Sequence, residues 1–171
     1  MKNLVLGLGN EIKKDDGVGL VVTDLLAEKL DDTSLNFKTL NSGKLMILDE
    51  VKGYDKVFLI DSVKTETGSP GEVYFLDLQD MHPSEGVSVA HNFDLRILKE
   101  NETYEGEELP DVQLIAIETK NPFEFGEELS NELEGKISDI VKNIAIFIRD
   151  NVQISSENFS IKNNNFINPN H

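Results

Sequence analysis

KNLVLGLGNEIKKDDGVGL, running from Lys2 to Leu20, is the stretch whose reading decides the fold. Leu4, Val5 and Leu6 form a continuous apolar run that stops at Gly7, the pattern of a buried strand entering a turn. Asp15 and Asp16 stand where a helix begins, and acidic groups suit the positive end of its dipole. Gly17 and Gly19 then fall in that helix's first turn, where each costs about 0.8–1 kcal/mol relative to Ala unless another group must come close. Two readings follow. One is a ligand or metal site at a strand-to-helix crossover; the other is a tight connection with negatively charged capping residues.

Composition narrows the classes of partner. A chain of 171 residues is long enough for one domain with a sizeable core and too short for two ordinary ones. With 32 acidic against 16 basic residues the formal charge is −16, a surface that repels phosphate backbones. Nucleic acid and anionic membranes are therefore poor partners. The absence of Cys excludes disulfides, thiolate metal sites and a Cys nucleophile, and it fits a reducing compartment. The apolar run after Lys2 is shorter than the core of a signal peptide, and nothing approaches transmembrane length, so a soluble, cytoplasmic protein is expected.

Working outward from the first strand, Val18, Val21, Val22, Leu25, Leu26 and Leu30 recur at helical spacing and predict an amphipathic helix from Asp16 to Lys29. Asn36 to Leu40 reads as a weaker strand, and Leu45 to Val51 as a short apolar helix stopped by Gly53. Lys56 to Ile60 is the second clear buried strand, ending on Asp61 and Ser62. The turn Thr67-Gly68-Ser69-Pro70-Gly71 leads to a strand from Glu72 to Leu78, expected to hairpin back on the preceding one. Asp80 to Ser88 reads as loop, followed by a helix from Ala90 to Lys99. Residues 100–110 read as an acidic, solvated connector. Val112 to Ile117 is the last buried strand, and a long helix from Glu127 to Arg149 closes the domain with Leu129, Leu133, Ile137, Ile140, Val141, Ile144 and Ile148 on one stripe. From Asn151 the chain is Asn- and Ser-rich without sustained period, the composition of a disordered tail. The expected architecture is a single α/β domain over residues 1–150, with a mostly parallel, mixed, twisted sheet of about five strands covered by helices on both faces, and a tail over 151–171.

Several motifs fail. Gly7-Leu8-Gly9 suggests a dinucleotide fingerprint, but its third glycine would fall at Ile12. Gly43-Lys44 is followed by Leu45 rather than the hydroxyl residue of a phosphate-binding loop. Neither a G-x-S-x-G elbow nor an H-E-x-x-H helix is present. What survives is a set of polar residues at strand ends, where doubly wound sheets collect ligands beside a switch point. If the first strand neighbours the 56–60 strand, Asp16 and Asp61 can share a divalent cation, with an imidazole completing the set. Of His82, His91 and His171, His91 is best placed, since His82 sits beside Pro83 in a loop and His171 ends the tail. On these residues alone His91 reads more readily as an ordinary residue at the start of a helix than as a ligand.

At this point the chain resembles a known family, the maturation endopeptidases of nickel-iron hydrogenases. Their pattern of an early G-x-G-N, four spacer residues and D-D-G-x-G is matched by Gly7-Leu8-Gly9-Asn10 and Asp15-Asp16-Gly17-Val18-Gly19. The strand ending in Asp61 resembles the family's second acidic position, and Ser88-Val89-Ala90-His91 its histidine segment; the similarity covers residues 1–150. The resemblance implies that Asp16, Asp61 and His91 are the catalytic and metal-ligating residues, and that Gly9, Asn10, Gly17 and Gly19 shape a turn facing the substrate. It implies a cytoplasmic peptidase, a monomer or weak oligomer, that removes the C-terminal extension of the hydrogenase large-subunit precursor after nickel insertion. Nickel would then be carried by the substrate, although another divalent cation can occupy such a site. The ion can polarise the scissile carbonyl, activate a water, or only dock the substrate while Asp16 acts as base. Asp16 is Glu in some members, and Ile117-Glu118-Thr119-Lys120 here precedes Pro122, which often lies nearer the strand end. Two other functions fit parts of the pattern: a nickel-dependent chaperone of the same precursor that does not cleave, and a peptidyl-tRNA hydrolase, whose opening also reads G-L-G-N. The latter is disfavoured by Glu11-Ile12, where Pro-Gly is typical, and by the acidic charge.

Overall fold

The computed structural model describes residues 1–41, 47–80, 87–89, 92–120 and 124–152, with the backbone alone at 87–89 and 92–94. A sheet runs in the order β2 (Leu35–Asn41), β1 (Asn3–Gly9), β3 (Lys56–Thr65), β8 (Asp111–Glu118) and β4 (Val73–Asp77), and the short β5 (Val87–Val89) pairs with the end of β3. β2, β1, β3 and β8 are parallel; β4 is antiparallel to β8, and β5 to β3. The chain thus forms the expected α/β domain with a mixed, mostly parallel sheet.

Strand alternation divides the core into two layers. Val5, Phe58, Ile60, Ile115 and Ile117 pack with α1 (Val18–Lys29), α4 (Asn131–Glu134) and α5 (Ile137–Asn151). Leu4, Leu6, Leu8, Val57, Leu59, Leu114 and Ala116 pack with α2 (Ile47–Val51) and α3 (Asn92–Glu100). Both faces of the central strands are buried, which is why these strands read as continuous apolar runs. Chain order places the switch point between β1 and β3: from β1 the chain crosses through α1 to β2 on one side, while β8 and β4 lie on the other.

The structure corrects several expectations. β4 pairs with β8 rather than with β3, because the turn at 67–71 carries the chain across β8 to the open edge of the sheet. β3 continues through Asp61 and Ser62 to Thr65, since β8 and β5 supply partners beyond the end of β1. The expected loop at 80–88 therefore ends in strand. The acidic connector holds a small hairpin, β6 (Thr103–Tyr104) with β7 (Glu107–Glu108), turned by Glu105 and Gly106 at positive φ. The helix foreseen from Glu127 to Arg149 is two helices, with Gly135 capping α4 and Lys136 opening α5. Gly weakens a helix interior and the last turn of α4 tightens there, Lys136 N donating to Leu133 O. Asn151 still belongs to α5 and Val152 is buried in the core, so the domain reaches residue 152; the rest of the proposed tail lies outside the described residues.

Candidate functional site

The carboxyl ends of β1 and β3 meet the start of α1, and this junction is built on close approach. A Cβ on Gly19 would lie 2.6 Å from Ile60 O and nearer still to Leu8 O, so only glycine lets α1 rest on the two strands. Gly9 is similarly confined, its Cβ position 2.6 Å from Asp16 O. Packing alone accounts for these two glycines. At Gly17 the nearest such atom is Asn10 O at 3.5 Å, an ordinary contact, so a side chain could be accommodated there. Asn10 organises the turn itself: its Oδ1 accepts from Ile12 N at 3.1 Å, and its carbonyl accepts from Lys13 N at 3.1 Å.

α1 begins at Val18, two residues later than its periodicity suggests, and no side chain caps it. Asp15 and Asp16 are therefore not helix caps. Asp15 sits at φ 64°, a left-handed conformation in which Asp is among the more tolerated side chains, and its Oδ1 accepts from Ser130 N at 2.7 Å. Asp16 turns toward β3, where its Oδ1 accepts from Ser62 Oγ at 2.8 Å. Asp61 Oδ1 accepts from the Ser62 main-chain N–H at 2.8 Å. Ser62 thus bonds to both carboxylates that the sequence singles out, to Asp16 through its hydroxyl and to Asp61 through its main-chain N–H, beside the switch point. His91, like His82 and His171, lies outside the described residues.

Asp15, Asp16 and Asp61 are 0%, 3% and 0% exposed. Removing an ionised carboxylate from water costs several kcal/mol, and one hydrogen bond to a charged group returns about 1.5–3 kcal/mol. Among the described residues no ion pair reaches Asp15 or Asp16, and Asp15 Oδ2 is buried without a hydrogen-bond partner. Carboxylate oxygens gathered in this way suit a divalent ion. Among the described residues no group of three His, Asp or Glu side chains can hold a metal ion by itself. Asp16 and Asp61 offer oxygen donors of the kind a divalent ion takes.

A fourth buried carboxylate, Glu118 at the end of β8, was absent from the sequence-based site. Its Oε1 accepts from Thr65 N at 2.8 Å, and its Oε2 from Thr65 Oγ1 at 3.0 Å and Tyr74 Oη at 3.3 Å. Burial, the hydrogen bond to Glu72 and the Glu118 charge push the Tyr74 hydroxyl up to about 12. Sequence reading named Ser62 and Asp15 but left both out of the site. Ser62 was legible in principle, since strand alternation from Ile60 puts it on the α1 face; for Asp15 the only signal was its tolerance of positive φ.

No family profile matches the chain, and no curated protein matches it. Solved structures do. The chain is similar to a NiFe hydrogenase maturation protease, HybD, from Thermococcus kodakarensis, at 24% identity and TM-score 0.63 over 86% of this chain and 99% of that one. It is similar to the hydrogenase maturating endopeptidase HybD from E. coli at 19% identity and TM-score 0.68, over 88% and 94%. A hydrogenase 2 maturation peptidase from a Thaumarchaeota archaeon gives 22% identity and TM-score 0.61, over 91% and 100%. At these identities the likeness is one of fold: the chain has the fold of hydrogenase maturation proteases over nearly their whole length. Among the described residues no helix is long and apolar enough to cross a membrane.

Proposed function

We propose that this chain is a hydrogenase maturation endopeptidase acting on the large-subunit precursor after nickel insertion, with Asp16, Asp61 and His91 meeting the nickel that the substrate carries. The observation that supports this best is the meeting of Asp16 and Asp61 at Ser62, on the switch point of a fold shared with such proteases. The β3–β5 ladder supports the third residue. Its register pairs Thr65 with Val87, Lys64 with Ser88 and Val63 with Val89, and so runs toward Asp61. In sequence Asp61 lies two positions before Val63, and His91 two positions after Val89.

Hydrolysis adds water across one peptide bond: the hydroxyl goes to the carbonyl carbon, the C–N bond breaks, and the released amine takes the proton. Nickel held by the substrate would supply recognition, docking the precursor at these residues. Of the chain's own groups, Asp16 is the candidate base, because it lies on the turn next to Gly17, where there is room beside the backbone. Its hydrogen bond from Ser62 Oγ orients the carboxylate.

The test is incubation with nickel-loaded and nickel-free precursor, followed by intact-mass measurement. The proposal expects loss of a C-terminal peptide from the nickel-loaded form only. Binding without any mass change would instead identify a chaperone.

A further inference from the structure

We propose that Asp15 is a positioning residue, whose carboxylate clamps the turn carrying Asp16 to the start of α4 and thereby fixes where Asp16 presents its oxygens. This rests on the reading of Asp16 as a ligand of the nickel-bearing substrate. The turn is tied to residues 124–126 by main-chain contacts: Lys14 N donates to Glu124 O at 2.6 Å, Gly126 N donates to Ile12 O at 3.1 Å, and Lys13 bridges antiparallel to Phe125. All of these end at Lys14. The bond from Ser130 N to Asp15 Oδ1 carries the attachment to the residue next to Asp16, across 115 positions of sequence.

Asp15 also holds the geometry on its other side. Its carbonyl accepts from Val18 N at 3.1 Å and so starts α1, while its positive φ reverses the chain and lets Asp16 face Ser62. Asp16 is therefore fixed from two directions, by β3 through Ser62 and by the backbone that Asp15 anchors. A buried, acceptor-only side chain in a left-handed conformation, spent on one main-chain donor, is a costly way merely to close a loop, for which Gly would serve. It is a suitable way to aim a neighbouring ligand, and loss of such outer contacts typically weakens a metal site 10–100-fold.

Three variants separate the possibilities. Ser130 has φ −60° and ψ 146°, so Ser130→Pro removes the donor N–H without changing φ, and Ser130 O keeps its bond from Glu134 N. Asp15→Gly keeps the positive φ and deletes the clamp. Asp15→Asn keeps an acceptor oxygen and tolerates the left-handed backbone. Each is measured for Ni²⁺ affinity by calorimetry, for melting temperature and for cleavage of nickel-loaded precursor, beside Asp16→Asn. The clamp predicts that Ser130→Pro and Asp15→Gly stay folded at assay temperature yet lose about 10–100-fold in Ni²⁺ affinity, with slower cleavage, and that Asp15→Asn restores both. Three results would overturn it: wild-type affinity in Ser130→Pro and Asp15→Gly while Asp16→Asn fails; equal loss in Asp15→Asn and Asp15→Gly; or unfolding of both Ser130→Pro and Asp15→Gly, which would make the bond structural. Wild-type behaviour of Asp16→Asn would remove the underlying reading instead, and the clamp with it.

Discussion

Buried carboxylates lie at two places along the carboxyl end of one sheet, and the structure treats them differently. At the end of β8, Glu118 is wholly buried, and both its oxygens are taken by Thr65 and Tyr74. At the ends of β1 and β3, Asp15 and Asp16 are about as deeply buried, yet among the described residues each accepts a single hydrogen bond, from Ser130 N and Ser62 Oγ. Two donors from Thr65, with the Tyr74 hydroxyl shared between Glu72 and Glu118, go further toward offsetting the desolvation of a carboxylate than one donor does. A satisfied carboxylate holds a fold together, whereas an under-supplied one is kept for something that arrives later. Glu118 ties the β3–β4 connection down, while the proposed function gives Asp16 a cation to meet.

The glycines of the site should break the comparison most severely if it is wrong. Gly19→Val drives a side chain into Leu8 O and Ile60 O and should cost on the order of 3 kcal/mol or more, lifting α1 from the sheet. Gly17→Ala meets nothing closer than Asn10 O and should cost less than about 1 kcal/mol in chemical denaturation. A Gly19→Val protein as stable as wild type would show that the turn is shaped for substrate rather than for packing.

Glu118→Gln sharpens the contrast. An amide NH₂ in place of one carboxylate oxygen faces Thr65 or Tyr74 as a second donor, and stability should fall by ~1–3 kcal/mol in urea. Cleavage of precursor at a temperature where the variant is folded should be unchanged. The smallest effect is expected from removing residues beyond Val152. The melting temperature should move by no more than about 4 °C, the scale of 1 kcal/mol in a domain of this size. A larger drop would mean that Phe159, Ile161 or Phe166 adds to the core.

Much of the fold was legible because its central strands are buried on both faces and its helices carry apolar stripes. The misreadings share a cause: local pattern does not say which strand is the neighbour. Nothing in Glu72 to Leu78 distinguishes pairing with β3 from pairing with β8, and nothing in Val87 to Val89 announces a third partner for β3. The candidate site was chosen as residue types at strand ends, which is how Asp16 and Asp61 were picked out. The capping role allowed for the Asp15-Asp16 pair fails, because it depended on where α1 begins. Glu118 was passed over, since a lone Glu after an apolar run looks like the solvated end of a strand; Thr65 and Tyr74, distant in sequence, are what make its burial tolerable.

The most direct test sets the two groups side by side. Nickel-loaded precursor is incubated with wild type, Asp16→Asn, Asp61→Asn, His91→Ala and Glu118→Gln, with His82→Ala and His171→Ala as histidine controls, and the released peptide is followed by mass. Wild type, Glu118→Gln and both histidine controls should cleave at matching rates, while the other three remain folded and release nothing. Cleavage at the wild-type rate by Asp16→Asn, Asp61→Asn and His91→Ala would contradict the site and leave the likeness to maturation proteases as one of fold alone.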